Sequence, residues 1–168
     1  MALKPEENEF YAENEIVSII PKFQAERIYF ASGTFGPFRP PKPAQVPLWL
    51  AVYLRKLGQC EVQLPLWLDY EVLKSIKTYE DRNERFCDDL PYYYYEIAFS
   101  LFNNCAEDFK EVARVQSLVE DIHQIRKEKL KLSLRKADTS QPCEFLGKPG
   151  ACEINLMRPA FPDAFGIQ

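Results

Sequence analysis

Helix breakers divide this sequence sharply. Eight of the thirteen prolines lie at or before Pro65, whereas between Leu66 and Gln141 there is one proline, Pro91, and no glycine. Proline lacks a backbone N–H and glycine costs backbone entropy, so both punctuate regular structure. The first third is therefore expected to hold strands, turns and short helices, and the middle to be helical. The resulting fold class is α+β: a small β-rich N-terminal domain over residues 1–62, then a larger α-helical domain over residues 63–168 with one long helix. Charge divides in the same way. Residues 1–62 carry seven basic and seven acidic side chains, and the remainder carries the whole net charge of −4.

In the first part, Pro5 can open a short helix through Phe10 and Tyr11. The β-branched run Ile16-Val-Ser-Ile-Ile20, ended by Pro21, reads as a strand, and Arg27 to Ala31 reads as its partner. Gly33 to Pro43 holds two glycines and four prolines and reads as a loop. Leu48 to Leu57 reads as a helix with Pro47 at its first position and Gly58 just past its end. Cys60 to Gln63 is a possible closing strand.

The second part shows three helical patterns. Asp69 can cap a helix whose inner face carries Val72, Leu73 and Ile76. After Pro91, the residues Ile97, Ala98, Leu101 and Cys105 recur at helical spacing. The strongest pattern is Val112, Val115, Leu118, Val119, Ile122 and Ile125, which predicts a helix from about Ala106 to Leu134. Lys129 to Arg135 alternates with period two, as a strand would, but lysine and leucine favour helix. Roughly 29 residues at 1.5 Å each reach about 44 Å, beyond the diameter of about 40 Å of a compact chain of this length. Such a stripe is expected to be covered by another chain; a monomeric bundle with a shorter or bent helix is the equal alternative. After a polar stretch from Ala137 to Gly150, Cys152 to Pro159 offers a short element.

Chemistry is sparse. There is no glycine-rich phosphate loop and no nucleophile elbow. The five cysteines and the single histidine show no short-spaced ligand set, so no metal site and no cofactor are expected. His123 reads as an exposed histidine on the polar face of the long helix. Glu80/Asp81 and Asp88/Asp89 read as solvated charges. The run Arg126 to Lys136 has six cations against one anion. It is readable as a nucleic-acid patch or an import signal, or as cations at a helix C-terminus, which the helix dipole favours. The acidic balance, pI about 5.2, disfavours stand-alone DNA binding. Pro91-Tyr-Tyr-Tyr-Tyr95 lacks a basic groove and reads as packing rather than a base-stacking platform. The acidic N-terminus is unlike a leader peptide, and no apolar run suits a membrane span. A soluble intracellular protein without catalysis is expected.

Several segments, in order, resemble the second Psf subunit of the GINS complex. They are Val17-Ser-Ile-Ile-Pro-Lys-Phe23; Gly36-Pro-Phe38 with the prolines to Pro43; Val46-Pro-Leu-Trp-Leu-Ala51; Pro65 with Trp67; Asp121, Arg126, Lys129 and Leu130; and Glu153-Ile-Asn155. The most specific is Val46 to Ala51 with the preceding Gly-Pro-Phe. The sequence departs from the family at Leu64-Pro-Leu-Trp-Leu68 and in a short tail after Asn155, which bears on contacts made through a longer C-terminal helix. The resemblance implies a B-like small domain and an A-like helical domain. It implies a nuclear heterotetramer with three other GINS-type subunits, the closest being the Sld-five-type subunit. It further implies attachment to the minichromosome-maintenance ring and its cofactor in the CMG replicative helicase, with DNA touched only indirectly and ATP hydrolysed elsewhere. The expected subunit interface is Val115, Leu118, Val119, Ile122, Ile125, Arg126 and Lys129, so Ile122→Asp is expected to stop assembly. The expected small-domain core is Ile19, Pro47, Trp49 and Leu50, with Trp49 as anchor. The alternative is a nucleic-acid-binding module using residues 126–136.

Overall fold

The computed structural model describes residues 4–136 and 146–160. Helix α1 (Pro5–Ala12) starts on proline at its first turn, and the Lys4 N–H donates to Glu7 Oε2 at 2.6 Å. Strand β1 (Ile16–Pro21) alternates as a half-buried strand should, with Val17, Ile19 and Pro21 turned inward. The expected partner, Arg27 to Ala31, does not pair with it. Ile28–Phe30 (β2) pairs instead with Gly33–Phe35 (β3) in a separate antiparallel hairpin, inside the stretch read as loop. Closing a hairpin across two residues costs less chain entropy than returning to β1. The main sheet has the order β4-β1-β5, in which β4 (Ala44–Pro47) and β5 (Cys60–Val62) flank β1 antiparallel.

Pro47 ends β4 and serves as the N-cap of α2 (Leu48–Lys56), one position ahead of the place expected for it. Past the helix end, Gly58 has φ +70°, a left-handed turn that glycine adopts without a Cβ clash. Ile19, Pro47 and Leu50 are buried as expected, but Trp49 is only half-buried. Its ring meets Phe30 edge-on at 5.4 Å, and Leu48 takes the enclosed position expected of the anchor.

A 3₁₀ turn (Leu66–Leu68) leads into α3 (Tyr70–Arg82), where the Glu71 N–H donates to the capping Asp69 Oδ1 at 3.0 Å. Leu73, Ile76 and Glu80 face inward, while Val72 is exposed rather than inward-facing, a helical step of about 100° away. Helix α4 (Tyr94–Asn104) buries Ile97, Ala98 and Leu101, and Cys105 follows them into the core. The long helix, α5, spans Val112–Lys136 and so starts six residues later than expected. Residues 106–108 form a 3₁₀ turn, Phe109 is extended and buried, and Glu111 is left-handed with φ 55°. The period-two stretch is helical. At 1.5 Å per residue α5 is about 38 Å long. Finally, α6 (Ala151–Met157) runs into a 3₁₀ turn at Arg158–Ala160. Residues 137–145 of the expected polar loop, and 161–168 of the tail, lie outside the described residues.

One buried apolar cluster is continuous from Val17 and Ile19 through Leu50 and Leu73 to Leu101 and Ile122. A smaller one gathers Phe86, Leu130, Leu146 and Met157. No helix among the described residues is long and apolar enough to cross a membrane.

Candidate interaction surface

Helix α5 carries every residue expected at a subunit boundary, and its stripe is largely filled by this chain itself. Val115, Val119 and Ile122 are buried in the main apolar cluster with residues of α3 and α4, and Arg126 is buried beyond them; Leu118, Ile125 and Lys129 are half-buried. Four of the seven are thus enclosed within this chain. α3 and α4 cover the stripe, and α6 packs against the later part of α5 near Leu130.

Beneath that stripe lies a charge network. Arg126 is 1% exposed and Glu80 fully buried. Arg126 Nε donates to Glu80 Oε1 at 2.8 Å, and its Nη2 donates to the Cys87 carbonyl at 2.6 Å. Lys129 is paired with Glu80 Oε2, and the Cys87 N–H donates to Glu80 Oε1 at 2.9 Å. The guanidinium lies over the rings of Phe86 and Tyr94, 4.9 and 5.3 Å from their centroids. Glu153 of α6 closes the network: its Oε1 accepts from the Tyr94 hydroxyl at 2.7 Å and lies 4.0 Å from Arg126 Nη1. Burial opposes the charge on Arg126, but Glu153 and Glu80 together outweigh it and raise its pKa. A buried charge persists only when paired in this way. The network ties α3, α4, α5 and α6 together.

Glu80 and Arg126 each occupy an apolar stripe, Leu73-Ile76-Glu80 and Val119-Ile122-Arg126. A charge at an inward helical position is a signal that could have marked the pair, yet Glu80 reads from sequence as solvated. His123 departs from its expectation too. It is half-buried, stacks on Tyr95 at 4.2 Å, and its Nδ1 is 3.4 Å from the Tyr94 hydroxyl. Burial lowers its pKa. Of the four tyrosines, Tyr94 is buried, Tyr93 and Tyr95 half-buried and Tyr92 exposed, so they are packing residues rather than a platform. A second polar joint links the two halves of the chain. Asp108 Oδ2 accepts from Arg55 Nε at 2.7 Å and from the Val62 N–H at 3.0 Å.

What remains for a partner is apolar surface that α3 and α5 leave partly uncovered. The contacts Tyr70–Arg114, Lys77–Asp121 and Glu80–Lys129 keep step along both helices, which therefore run parallel. On α5, Leu118, Ile125 and Leu132 recur every seven residues; the first two are half-buried and Leu132 is 52% exposed. Val72 and Tyr79 repeat the same spacing on α3 and are exposed. Ile125 and Leu132 line a groove of roughly 430 Å³ with residues 80–84 at the end of α3. The β2–β3 hairpin exposes a further apolar set, Ile28, Tyr29 and Phe30.

Two family models match the chain: the PSF2 N-terminal domain over residues 4–63 and the GINS complex protein helical bundle domain over residues 67–164. The DNA replication complex GINS protein psf2 of Schizosaccharomyces pombe is 35% identical over 161 residues, covering 96% of this chain and 86% of that protein. The DNA replication complex GINS protein PSF2 of Xenopus laevis is 39% identical over 127 residues, 76% of this chain and 69% of the relative. Its Homo sapiens counterpart is 37% identical over the same coverage.

Proposed function

The chain belongs to the PSF2 family of DNA replication complex GINS proteins, and on that premise we propose that it is a non-catalytic scaffold subunit of a nuclear GINS heterotetramer. Its partners in this reading are three other GINS-type subunits, the Sld-five-type subunit being the closest. The tetramer in turn joins the minichromosome-maintenance ring and its cofactor as part of the CMG replicative helicase, and this subunit meets DNA only indirectly.

The observation that carries the reading is the second apolar row on α5. Leu118, Ile125 and Leu132 recur at heptad spacing on the side of α5 that meets α3: Leu118 packs on the core, Ile125 is half-buried and Leu132 is 52% exposed, so the row becomes uncovered toward its C-terminal end, where it lines the groove at the end of α3. A seven-residue apolar repeat is a seam for helix packing, and its uncovered end at Ile125 and Leu132 is the part open to a further helix. The buried residues named from sequence serve the fold; this uncovered end serves the partner. Nucleic-acid binding through residues 126–136 fits less well, since Arg126 and Lys129 are paired with Glu80 and Lys131 with Glu128. Half of the six cations in the run are thereby engaged within the chain.

The test is co-expression with the three other GINS-type subunits. Ile125→Asp and Leu132→Asp are expected to abolish co-purification while leaving the helical circular dichroism of the chain unchanged. Ile122→Asp, by contrast, strikes the core and is expected to unfold it. A tetramer of undiminished stability carrying both Ile125→Asp and Leu132→Asp would refute the assignment of this face.

A further inference from the structure

His123 on α5 and Cys152 and Glu153 on α6 bring an imidazole, a thiol and a carboxylate together, their donor atoms all within 4.8 Å of one another. The sequence separates the histidine from the other two by a helix end and a connection, so no ligand spacing announces them. Nitrogen, sulfur and oxygen donors in one set suit a borderline ion such as zinc.

Three features of the arrangement favour a cation. The first is how Glu153 divides its oxygens. Oε1 is occupied by the Tyr94 hydroxyl and faces Arg126, whereas Oε2 takes only the Cys152 thiol, at 3.2 Å. A thiol is a weak donor, so a single weakly held proton sits between Sγ and Oε2, on the side of the carboxylate away from the guanidinium.

The second feature is charge. Arg126 and Lys129 are both committed to Glu80 at close range, which leaves Glu153 with a guanidinium at 4.0 Å. Glu153 is thus a fully buried carboxylate whose paired guanidinium stands at 4.0 Å, which leaves room for a second positive charge on its other oxygen. The third feature is orientation. Tyr95 stacked on the His123 ring sets its plane, and the Tyr94 hydroxyl fixes Glu153, the kind of outer contacts that orient metal ligands.

We propose that His123, Cys152 and Glu153 bind one zinc-class divalent ion, with water completing a four-coordinate shell, and that the ion clips α6 to α5. Zinc bond lengths place neighbouring donors about 3.3–3.7 Å apart, so the widest separation closes by roughly an ångström, which the half-exposed His123 and Cys152 side chains can supply by small rotations. The ion replaces the thiol proton, which passes to solvent. Thiolate and carboxylate then balance the two positive charges, and the imidazole binds neutral.

The experiment titrates the full chain, stripped with a chelator, with Co²⁺ as the optical probe and then with Zn²⁺ as competitor. One equivalent of Co²⁺ is expected to give sulfur-to-cobalt charge-transfer absorption that Zn²⁺ abolishes. Cys152→Ser is expected to lose that band, and His123→Gln to weaken binding by about 100-fold or more, beyond the tenfold to 100-fold typical of outer contacts. Cys143→Ser should bind as the parent does. Helical circular dichroism of each stripped variant establishes that it is folded. No band in the parent chain, a band that persists in Cys152→Ser, or one that disappears in Cys143→Ser overturns the proposal.

Discussion

Glu80 is the residue whose removal tests the buried network most directly. It is fully buried and answers two cations at once, Arg126 and Lys129, while accepting the Cys87 N–H. Glu80→Ala leaves Arg126 enclosed with Glu153 at 4.0 Å as its remaining counter-charge. Removing one partner of a buried ion pair costs about 3–5 kcal/mol. That is a large share of the 5–15 kcal/mol, roughly, that holds a domain folded. With a urea m-value of about 1–3 kcal/mol/M, the midpoint should fall by on the order of 2 M at unchanged m. Urea denaturation followed by circular dichroism reads this out. Glu80→Met combined with Arg126→Met should cost clearly less than the two single changes summed, because the Glu80 and Arg126 charges then leave together, while Glu153 loses its guanidinium equally in Arg126→Met and in the double variant. Lys77→Met, which breaks the half-exposed pair with Asp121 at 2.6 Å, should cost no more than about 1 kcal/mol. A loss below about 1 kcal/mol for Glu80→Ala, or strict additivity in the double variant, would refute the claim that these charges hold the four helices together.

Asp108→Ala removes the acceptor shared by Arg55 and the Val62 N–H and should cost about 1–3 kcal/mol, measured by the same denaturation. Gly150→Ala places a Cβ 2.6 Å from Glu153 Oε2 and 3.0 Å from the Tyr92 carbonyl. The start of α6 must shift, at about 1–3 kcal/mol, and each kcal/mol should lower the melting temperature by roughly 2–4 °C. Asp69→Ala deletes the cap of α3 and should cost about 1 kcal/mol, with a small loss of helical signal on melting.

The distribution of proline and glycine, with helical and alternating periodicity, is enough to read the α+β class, α1, β1, α2, β5, three later helices and a short element where α6 stands, because those signals are local. Strand pairing was not readable. β2 and β3 are three residues each and β4 is four, too short for a pattern, so β1 was paired with the wrong segment. The α5 stripe was visible residue by residue, but what covers it was not. Periodicity tells which side chains turn inward; whether the cover comes from the same chain depends on how α3, α4 and α6 dock. Docking also decides the charges. Glu80, Arg126 and Glu153 are far apart in sequence, and only the bundle gives each a partner in a region where an unpaired charge would be intolerable. The same long-range packing brings His123 to Cys152 and Glu153. Local propensity is encoded within a few residues, whereas pairing across the core is set by contacts that close only when the whole chain has folded.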